Sequence, residues 1–304
     1  MLQEAKYIWM DGKLVPWGEA NVHVLTHALH YGMAVFEGLR CYEGEGGSHI
    51  FRLAEHSRRL LRSARILNLK VPYSEDDLNR ATIEVVRENA LASCYIRPIV
   101  FLGTGAMGLY APDNQVNVSI AAWPWGSYLG EEGLTAGIRV QTSSFTRHHV
   151  NTAMPRAKAC GYYINSVLAK MEAKSCGYDE ALFLDVDGYV AEGAGENIFV
   201  IRDGVIRTPP LGSVLEGITR ETVMTLARER GHEVIECRLT RDDLYIADEV
   251  FFTGSAAEVT PVREVDHRTI GDGKRGPLTE LLQNAYFDCV NGRDAGHMDW
   301  LTRV

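Results

Sequence analysis

Apolar and polar positions switch repeatedly between the strand and the helix period along the first half of the chain. Lys6-Tyr-Ile-Trp-Met10 and Lys13-Leu-Val-Pro-Trp17 flank Asp11-Gly12, which predicts an opening hairpin, because Asp-Gly supplies the positive φ of a type I′ turn. Val22-His-Val-Leu25 alternates weakly. Residues 52–69 carry Leu53, His56, Leu60, Leu61, Ala64 and Leu67 on one helical face with arginines opposite. Ser74-Glu-Asp-Asp77 has the form of a capping box and opens a second helix through Ile83, Val86 and Leu91. Residues 94–102 and 116–123 read as strands, joined by a Gly- and Pro-containing loop at 103–114.

Residues 125–133 (Trp-Gly-Ser-Tyr-Leu-Gly-Glu-Glu-Gly) hold turn formers and no periodicity. They mark a boundary between a small α/β domain, 1–124, and a larger domain, 134–304. In the larger domain a strand at 137–142 leads through a polar stretch to a helix that carries Tyr163, Val167, Leu168 and Met171 inward and stops near Gly177. Strand 181–184 is followed by Gly188-Tyr-Val-Ala-Glu-Gly-Ala-Gly-Glu-Asn-Ile-Phe-Val200, a strand that starts at an Asp187-Gly188 turn, breaks at Glu192-Gly-Ala-Gly195 and resumes at Asn197. Another Asp-Gly turn, at 203–204, leads to a strand, and Leu215-Glu-Gly-Ile-Thr219 opens a helix with Val223, Leu226 and Ala227 on one face. Strands at 233–237 and 249–253, a short helix from Thr240, a turn at 254–261 and a helix at 278–289 complete the chain. Hairpin turns mixed with helices imply an α+β fold, not a parallel doubly wound sheet.

Composition narrows the function classes. The 304 residues are 46% hydrophobic and 23% charged, as in a globular protein of about two domains. A net charge of −9 argues against a nucleic-acid surface. No apolar run is long enough to span a membrane, and the first residues lack the pattern of a signal peptide. The six cysteines are scattered without a Cys-x-x-Cys pair, as expected of reduced thiols in a cytoplasmic enzyme. His27 and His30 lack a third ligand at plausible spacing, so no metal is expected. No dinucleotide fingerprint, Walker A motif or G-x-S-x-G elbow is present.

Four features of the second half share one chemistry. Lys158 sits among Ala157, Ala159 and Gly161, with space for a bulky group at its ε-amine; it is either a Schiff-base lysine or a solvated charge. Glu192 lies in a glycine-rich break between strands, where it either meets a ligand nitrogen or is a solvated acid on a bulge. Gly217-Ile-Thr219 opens a helix whose free N–H groups and dipole suit a phosphate, or is simply capped. Gly254-Ser-Ala256 is a second turn able to hold anionic oxygens.

Together with their surroundings these residues resemble a known family. Thr152-Ala-Met-Pro-Arg-Ala-Lys158, Tyr163, residues 187–197, Leu215-Glu-Gly-Ile-Thr-Arg220 and residues 252–261 are similar to the fold type IV, class IV aminotransferase family of pyridoxal 5′-phosphate (PLP) enzymes, and within it to the branched-chain amino acid aminotransferases. The first half agrees, in His30-Tyr-Gly-Met-Ala-Val-Phe-Glu-Gly-Leu-Arg40, His56-Ser-Arg-Arg-Leu60, Tyr95-Ile-Arg-Pro98 and residues 123–129. The resemblance runs along essentially the whole chain and implies a two-domain fold whose larger domain has a mostly antiparallel or barrel-like sheet. It implies that Lys158 is the catalytic residue and holds PLP, that Glu192 pairs with the pyridine nitrogen and Tyr163 with the ring O3′. Arg59, Leu215, Gly217, Ile218, Thr219, Gly254 and Ser255 would complete the cofactor site. The substrate α-carboxylate would lie near Tyr95 and the Ser255-Ala256 amides. Tyr31, Phe36, Trp125, Tyr128 and Tyr163 would form aromatic walls, with Arg97 for a side-chain carboxylate.

The implied reaction is transamination of L-leucine, L-isoleucine and L-valine with 2-oxoglutarate, in branched-chain amino acid metabolism. The implied assembly is a homodimer or higher oligomer, with Tyr31 and the 103–114 loop reaching across the interface. D-amino acid aminotransferase and aminodeoxychorismate lyase are the alternatives on the same fold. Arg156, Cys160, Tyr162, Glu216 and the 103–114 loop depart from the family pattern, and the loop's departure bears on substrate range more than on reaction.

Overall fold

Tyr7–Met10 and Lys13–Pro16 (β1 and β2) pair antiparallel, and Asp11 and Gly12 between them take φ of 49° and 94° as a type I′ turn requires. The computed structural model describes residues 3–126 and 129–304, apart from the side chain of Glu131. Two compact units are distinguished, one of residues up to Trp125 with 157–162 and 289–304, the other of 126–156 with 163–288. The first unit runs to Trp125, and two short later pieces also belong to it. They do so because Ala157 and Ala159 enter its core and Leu301–Arg303 pairs into its sheet.

In the first unit, β3 (Ala34–Phe36), β4 (Leu39–Gly44), β5 (Gly47–Phe51), β6 (Cys94–Leu102) and β7 (Val116–Trp123) join the hairpin in one sheet. Its order is Leu301–Arg303, β5, β4, β6, β7, β1, β2. Strands β3 and β4 lie end to end along the same edge of β6, parted only by Glu37 and Gly38. Val22-His-Val-Leu25 forms no strand; Val22, Val24 and Leu25 are exposed, and a short helix, α1 (His27–Tyr31), follows. The two expected longer helices are α2 (Leu53–Ile66) and α3 (Glu75–Glu88), with the Ser74–Asp77 capping box formed. Helix α3 stops at Asn89, whose side chain accepts from the Lys6 and Tyr7 amides and donates to the Tyr7 and Val85 carbonyls. On α2 the arginines do not all face outward, since Arg59 is buried with His56, Ser57 and Ser63.

The second unit holds α4 (Glu131–Ala136), β8 (Ile138–Thr146), α5 (Tyr163–Ser175), β9 (Glu180–Leu184), β10 (Val190–Gly193), β11 (Asn197–Arg202) and β12 (Val205–Thr208). It continues through α6 (Ile218–Glu229), β13 (Val234–Glu236), α7 (Arg241–Tyr245), β14 (Glu249–Gly254), β15 (Glu258–Val265), β16 (Arg268–Thr269) and α8 (Pro277–Val290), which ends in the first unit. Strand β10 pairs with both β9 and β11, so β8, β9, β10, β11, β14 and β15 close into a six-stranded barrel. The expected α+β class with a barrel-like sheet is therefore the observed one.

Three local expectations need correction. Glu258–Pro261 is strand, not turn, because β15 pairs with β14 and only residues 255–257 reverse the chain. The Asp187-Gly188 turn is not type I′, since only Gly188 has positive φ (85°). Asp185 sets it instead, its carbonyl taking the Gly188 N–H and its carboxylate the Asp187 and Tyr189 N–H groups. Helix α5 turns Ser166, Ala169 and Ala173 inward and leaves Val167, Leu168 and Met171 exposed with Ile164, the reverse of the expected face. Small side chains there let the helix lie close on β8 and β9.

Candidate active site

Two groups of candidate residues are built, one in each unit. In the first, the gap between β3 and β4 turns Glu37 into the interior, fully buried. Its carboxylate takes two parallel bonds from Arg59 (Nε to Oε1, 2.6 Å; Nη2 to Oε2, 2.8 Å) and one from His56 Nδ1 (2.7 Å). Because an ionised carboxylate only accepts, His56 donates from Nδ1. Burial alone would raise the Glu37 pKa, but the Arg59 and His56 charges and bonds outweigh it and hold the carboxyl well below its usual range. Burial lowers the His56 pKa against the pull of Glu37, with Arg59 and Lys158 adding to the lowering.

Strand β3 fixes the lysine segment as well. The Phe36 N–H donates to the Lys158 carbonyl (3.0 Å), the Lys158 N–H to Ser63 Oγ (3.1 Å), and Val35 bridges Ala159. Lys158 is half-buried, its Nζ 5.0 Å from the centre of the Phe36 ring. A continuous run from Phe36 to Glu37 thus contacts both the lysine and, through Glu37, Arg59.

Arg97 stands on a central strand, for β6 lies between β4 and β7. Its guanidinium sits 4.7 Å from the Phe36 ring centre and donates to Tyr95 Oη (3.0 Å). Tyr95 in turn meets Trp125 edge-on at 4.6 Å. Gly38 is required here, since a Cβ on it would fall 2.0 Å from Tyr95 Oη. Tyr31 is exposed and its ring packs on His27 and His30. Tyr128 lies outside the described residues. Cys160 has its thiol pushed up to about 11 by burial, against the lowering influence of Arg97 and Lys158.

The second group centres on Glu192, buried on β10. Oε1 pairs with Arg147 (2.7 Å), and Oε2 accepts from Asn197 Nδ2 (3.2 Å) and the Leu215 N–H (2.9 Å). Asn197 also donates to the Leu215 carbonyl, tying Glu192 to the segment that opens α6. Gly217 is the N-cap of that helix and makes no side-chain cap bond; a Cβ there would fall 1.9 Å from Asn197 Oδ1. Thr219 is buried in the first turn of α6 and Ile218 half-buried. Gly254 ends β14, Ser255 and Ala256 lie in the turn that follows it, and Tyr163 begins α5. Glu192 is thus buried and paired, not a solvated acid on a bulge.

Glu37, Arg147 and Asn197 are absent from the residues expected from sequence. Glu37 carried a signal, an acid set directly between the apolar run Ala34-Val-Phe36 and Gly38-Leu39, and Asn197 stood in the motif itself. Arg147 lies in a polar stretch that marks nothing.

The donor set suits a phosphorylated pyridine. A buried carboxylate with about four lone-pair sites has three partners here, leaving one for a ring N–H. A twelve-residue helix whose N-cap makes no side-chain bond offers its first amides to a phosphate.

Comparison with known proteins agrees along the whole length. The family profile described as amino-transferase class IV matches residues 34–265. The chain is 61% identical over 297 residues to the branched-chain-amino-acid aminotransferase of Pseudomonas aeruginosa PAO1, covering 98% of this chain and 97% of that one. It superposes on the crystal structure of the Escherichia coli branched-chain amino acid aminotransferase with a TM-score of 0.97, at 48% identity and 99% coverage of each chain. A similar structure is the T.th. branched-chain amino acid aminotransferase complexed with N-(5′-phosphopyridoxyl)-L-glutamate, with a TM-score of 0.94, 50% identity and 98% coverage of each.

Proposed function

The chain belongs to the class IV aminotransferase family, which is PLP-dependent, and on that footing we propose that it transaminates L-leucine, L-isoleucine and L-valine with 2-oxoglutarate. The full-length 61% identity to a branched-chain-amino-acid aminotransferase carries this reading. It favours the branched-chain enzyme over D-amino acid aminotransferase and aminodeoxychorismate lyase.

PLP, when bound, supplies an electron sink for the substrate Cα. In this reading Lys158 holds it and its ε-amine moves the proton at Cα, a role supported by the half-buried place of that side chain. Glu192 accepts the pyridine N–H and keeps that proton in place, with Arg147, Asn197 and the Leu215 amide fixing the carboxylate. Arg59, the first amides of α6 at Gly217, Ile218 and Thr219, and the Gly254-Ser255 turn bind the phosphate, and Tyr163 meets O3′. Tyr95 and the Ser255-Ala256 amides orient the substrate α-carboxylate. Phe36, Tyr31, Trp125 and Tyr163 line the alkyl pocket and exclude water, and Arg97 receives the γ-carboxylate of glutamate.

A homodimer or a larger homo-oligomer is proposed, supported by the exposed apolar stripe of α5 and by Leu109 and Tyr110, 89% and 86% exposed on the 103–114 loop. The cytoplasm is the proposed compartment. No described helix is long and apolar enough to cross a membrane.

The test is the visible spectrum of the purified protein with L-leucine or D-alanine. Conversion from the pyridoxal to the pyridoxamine form by L-leucine alone is expected. Conversion by D-alanine alone, or pyruvate release from added aminodeoxychorismate without 2-oxoglutarate, would overturn the substrate assignment. A Lys158→Ala protein with undiminished multiple turnover would overturn the lysine's role.

A further inference from the structure

Away from the residues assigned above, the end of the chain gathers a thiol, a carboxylate and an imidazole. Cys289 lies in the last turn of α8, buried, and Asp294 caps the short helical turn Ala295–Trp300 by accepting from the Gly296 N–H (2.9 Å). The Cys289 thiol and His297 Nδ1 both reach Asp294 Oδ2, at 3.2 and 2.9 Å, and the ligand atoms of all three residues lie within 4.8 Å of one another. The His297 ring rests on Trp300 at 3.8 Å, which fixes the direction in which Nδ1 points.

We propose that Cys289, Asp294 and His297 form a site for a borderline transition-metal dication, Zn²⁺ foremost. A tetrahedral zinc ion with bonds of about 2.0–2.3 Å separates its S, N and O ligands by roughly 3.3–3.6 Å. The two pairs that share Asp294 Oδ2 therefore need to part by only a few tenths of an ångström, and the thiol and imidazole ligand atoms already lie within 4.8 Å of each other. Thiolate plus imidazole suits zinc, whereas an all-oxygen shell would suit magnesium or calcium. With the thiol deprotonated, thiolate and carboxylate balance the dication, and the thiol proton leaves to solvent. Hydrogen bonds from His297, Cys289 and the Gly296 amide, opposed by burial, hold the Asp294 carboxyl below its usual range. The side chains of His297 and Asp294 stay 12% and 23% exposed, leaving an approach for the ion and for a water as fourth ligand. The nearest competing cation on the Trp300 ring, Arg52, at 5.0 Å from its centre, is paired with Glu55.

An ion there would clip residue 289 to residue 297 just before Leu301–Arg303 pairs with β5, and so fasten the C-terminal return of the chain. Without metal the same residues form a hydrogen-bonded turn, so the experiment must separate the two.

The holoenzyme, carrying Cys176→Ser to remove its exposed thiol, is stripped with chelator and titrated with Co²⁺, then Zn²⁺. Expected are tetrahedral cobalt bands in the red, clear of the cofactor, at one ion per chain, displaced by Zn²⁺. Cys289→Ser should abolish them. His297→Phe, which keeps a ring on Trp300, and Asp294→Asn, which keeps the cap, should each weaken binding by about 100-fold. Transaminase turnover should not change. Absence of tetrahedral bands, or bands unaffected by His297→Phe and Asp294→Asn, would overturn the site.

Discussion

Arg59 gives Nε and Nη2 to the two oxygens of Glu37, at 2.6 and 2.8 Å, in an interior that leaves Glu37 no contact with solvent. This fork fixes the guanidinium plane, and in the proposed role the guanidinium so held binds the phosphate. Glu37→Gln removes the charge and one acceptor. Breaking a buried ion pair costs about 3–5 kcal/mol of stability. Loosening one bond to a charged group should raise the PLP dissociation constant roughly tenfold to a hundredfold. Saturating PLP should then recover turnover while the urea midpoint stays lowered. Turnover lost even at saturating PLP would mean that Glu37 acts in the chemistry, not on Arg59.

Acid should weaken the same cluster in two stages. His56 is held below its ordinary 6.5 and Glu37 below its ordinary 4.5, so on acidification the unfolded chain binds protons first and stability rises with pH. The His56 contribution is whole above about pH 6.5 and drains below it; that of Glu37 is whole above about pH 4.5 and drains further down. Urea midpoints should therefore fall between pH 7 and 5, and His56→Gln should flatten that fall. His148, also lowered by burial, titrates in the same window, so the wild-type minus His56→Gln difference is the quantity to read. No difference would place the acid sensitivity elsewhere.

Much of this arrangement was legible in the sequence, and the exceptions have physical causes. Lys158, Glu192 and the α6 start stood out because small residues beside a charge or at a helix start leave room for a bound group. The two Asp-Gly hairpins at 11–12 and 203–204 formed as expected, each with both residues at positive φ. Asp187-Gly188 did not, since a carboxylate two residues earlier took over the turn. The α5 face was misassigned because periodicity reports a stripe and not which side a neighbour covers. Glu37 and Arg147 are set by tertiary pairing, to which local spacing is blind.

Arg97 should divide the two half-reactions. Its guanidinium lies over Phe36 and bonds Tyr95 Oη, within the wall proposed to receive both an alkyl chain and a γ-carboxylate. Arg97→Leu keeps apolar contact with Phe36 and removes the cation. Losing a desolvated charge partner costs about 2–4 kcal/mol, some thirtyfold to a thousandfold in kcat/KM for glutamate. The leucine half-reaction should change by only a few-fold. Single-turnover spectra with each amino acid measure the split, and equal losses would remove Arg97 from side-chain recognition.

Helix α5 carries the case for assembly. Ile164, Val167, Leu168 and Met171 follow at the spacing of one helical face and are 66%, 54%, 43% and 63% exposed, while the opposite face is packed on β8 and β9. Single exposed apolar residues are ordinary, but four in one stripe are what a covered interface leaves on a lone chain. A second copy of this chain is the proposed cover. Val167→Asp combined with Met171→Asp adds two charges to the stripe and touches no residue that the barrel buries. Sedimentation velocity should show the wild type at twice the chain mass or more and the double variant shifted downward, with its far-ultraviolet spectrum unchanged. A monomeric wild type, or a double variant that sediments like it, would return the stripe to plain surface.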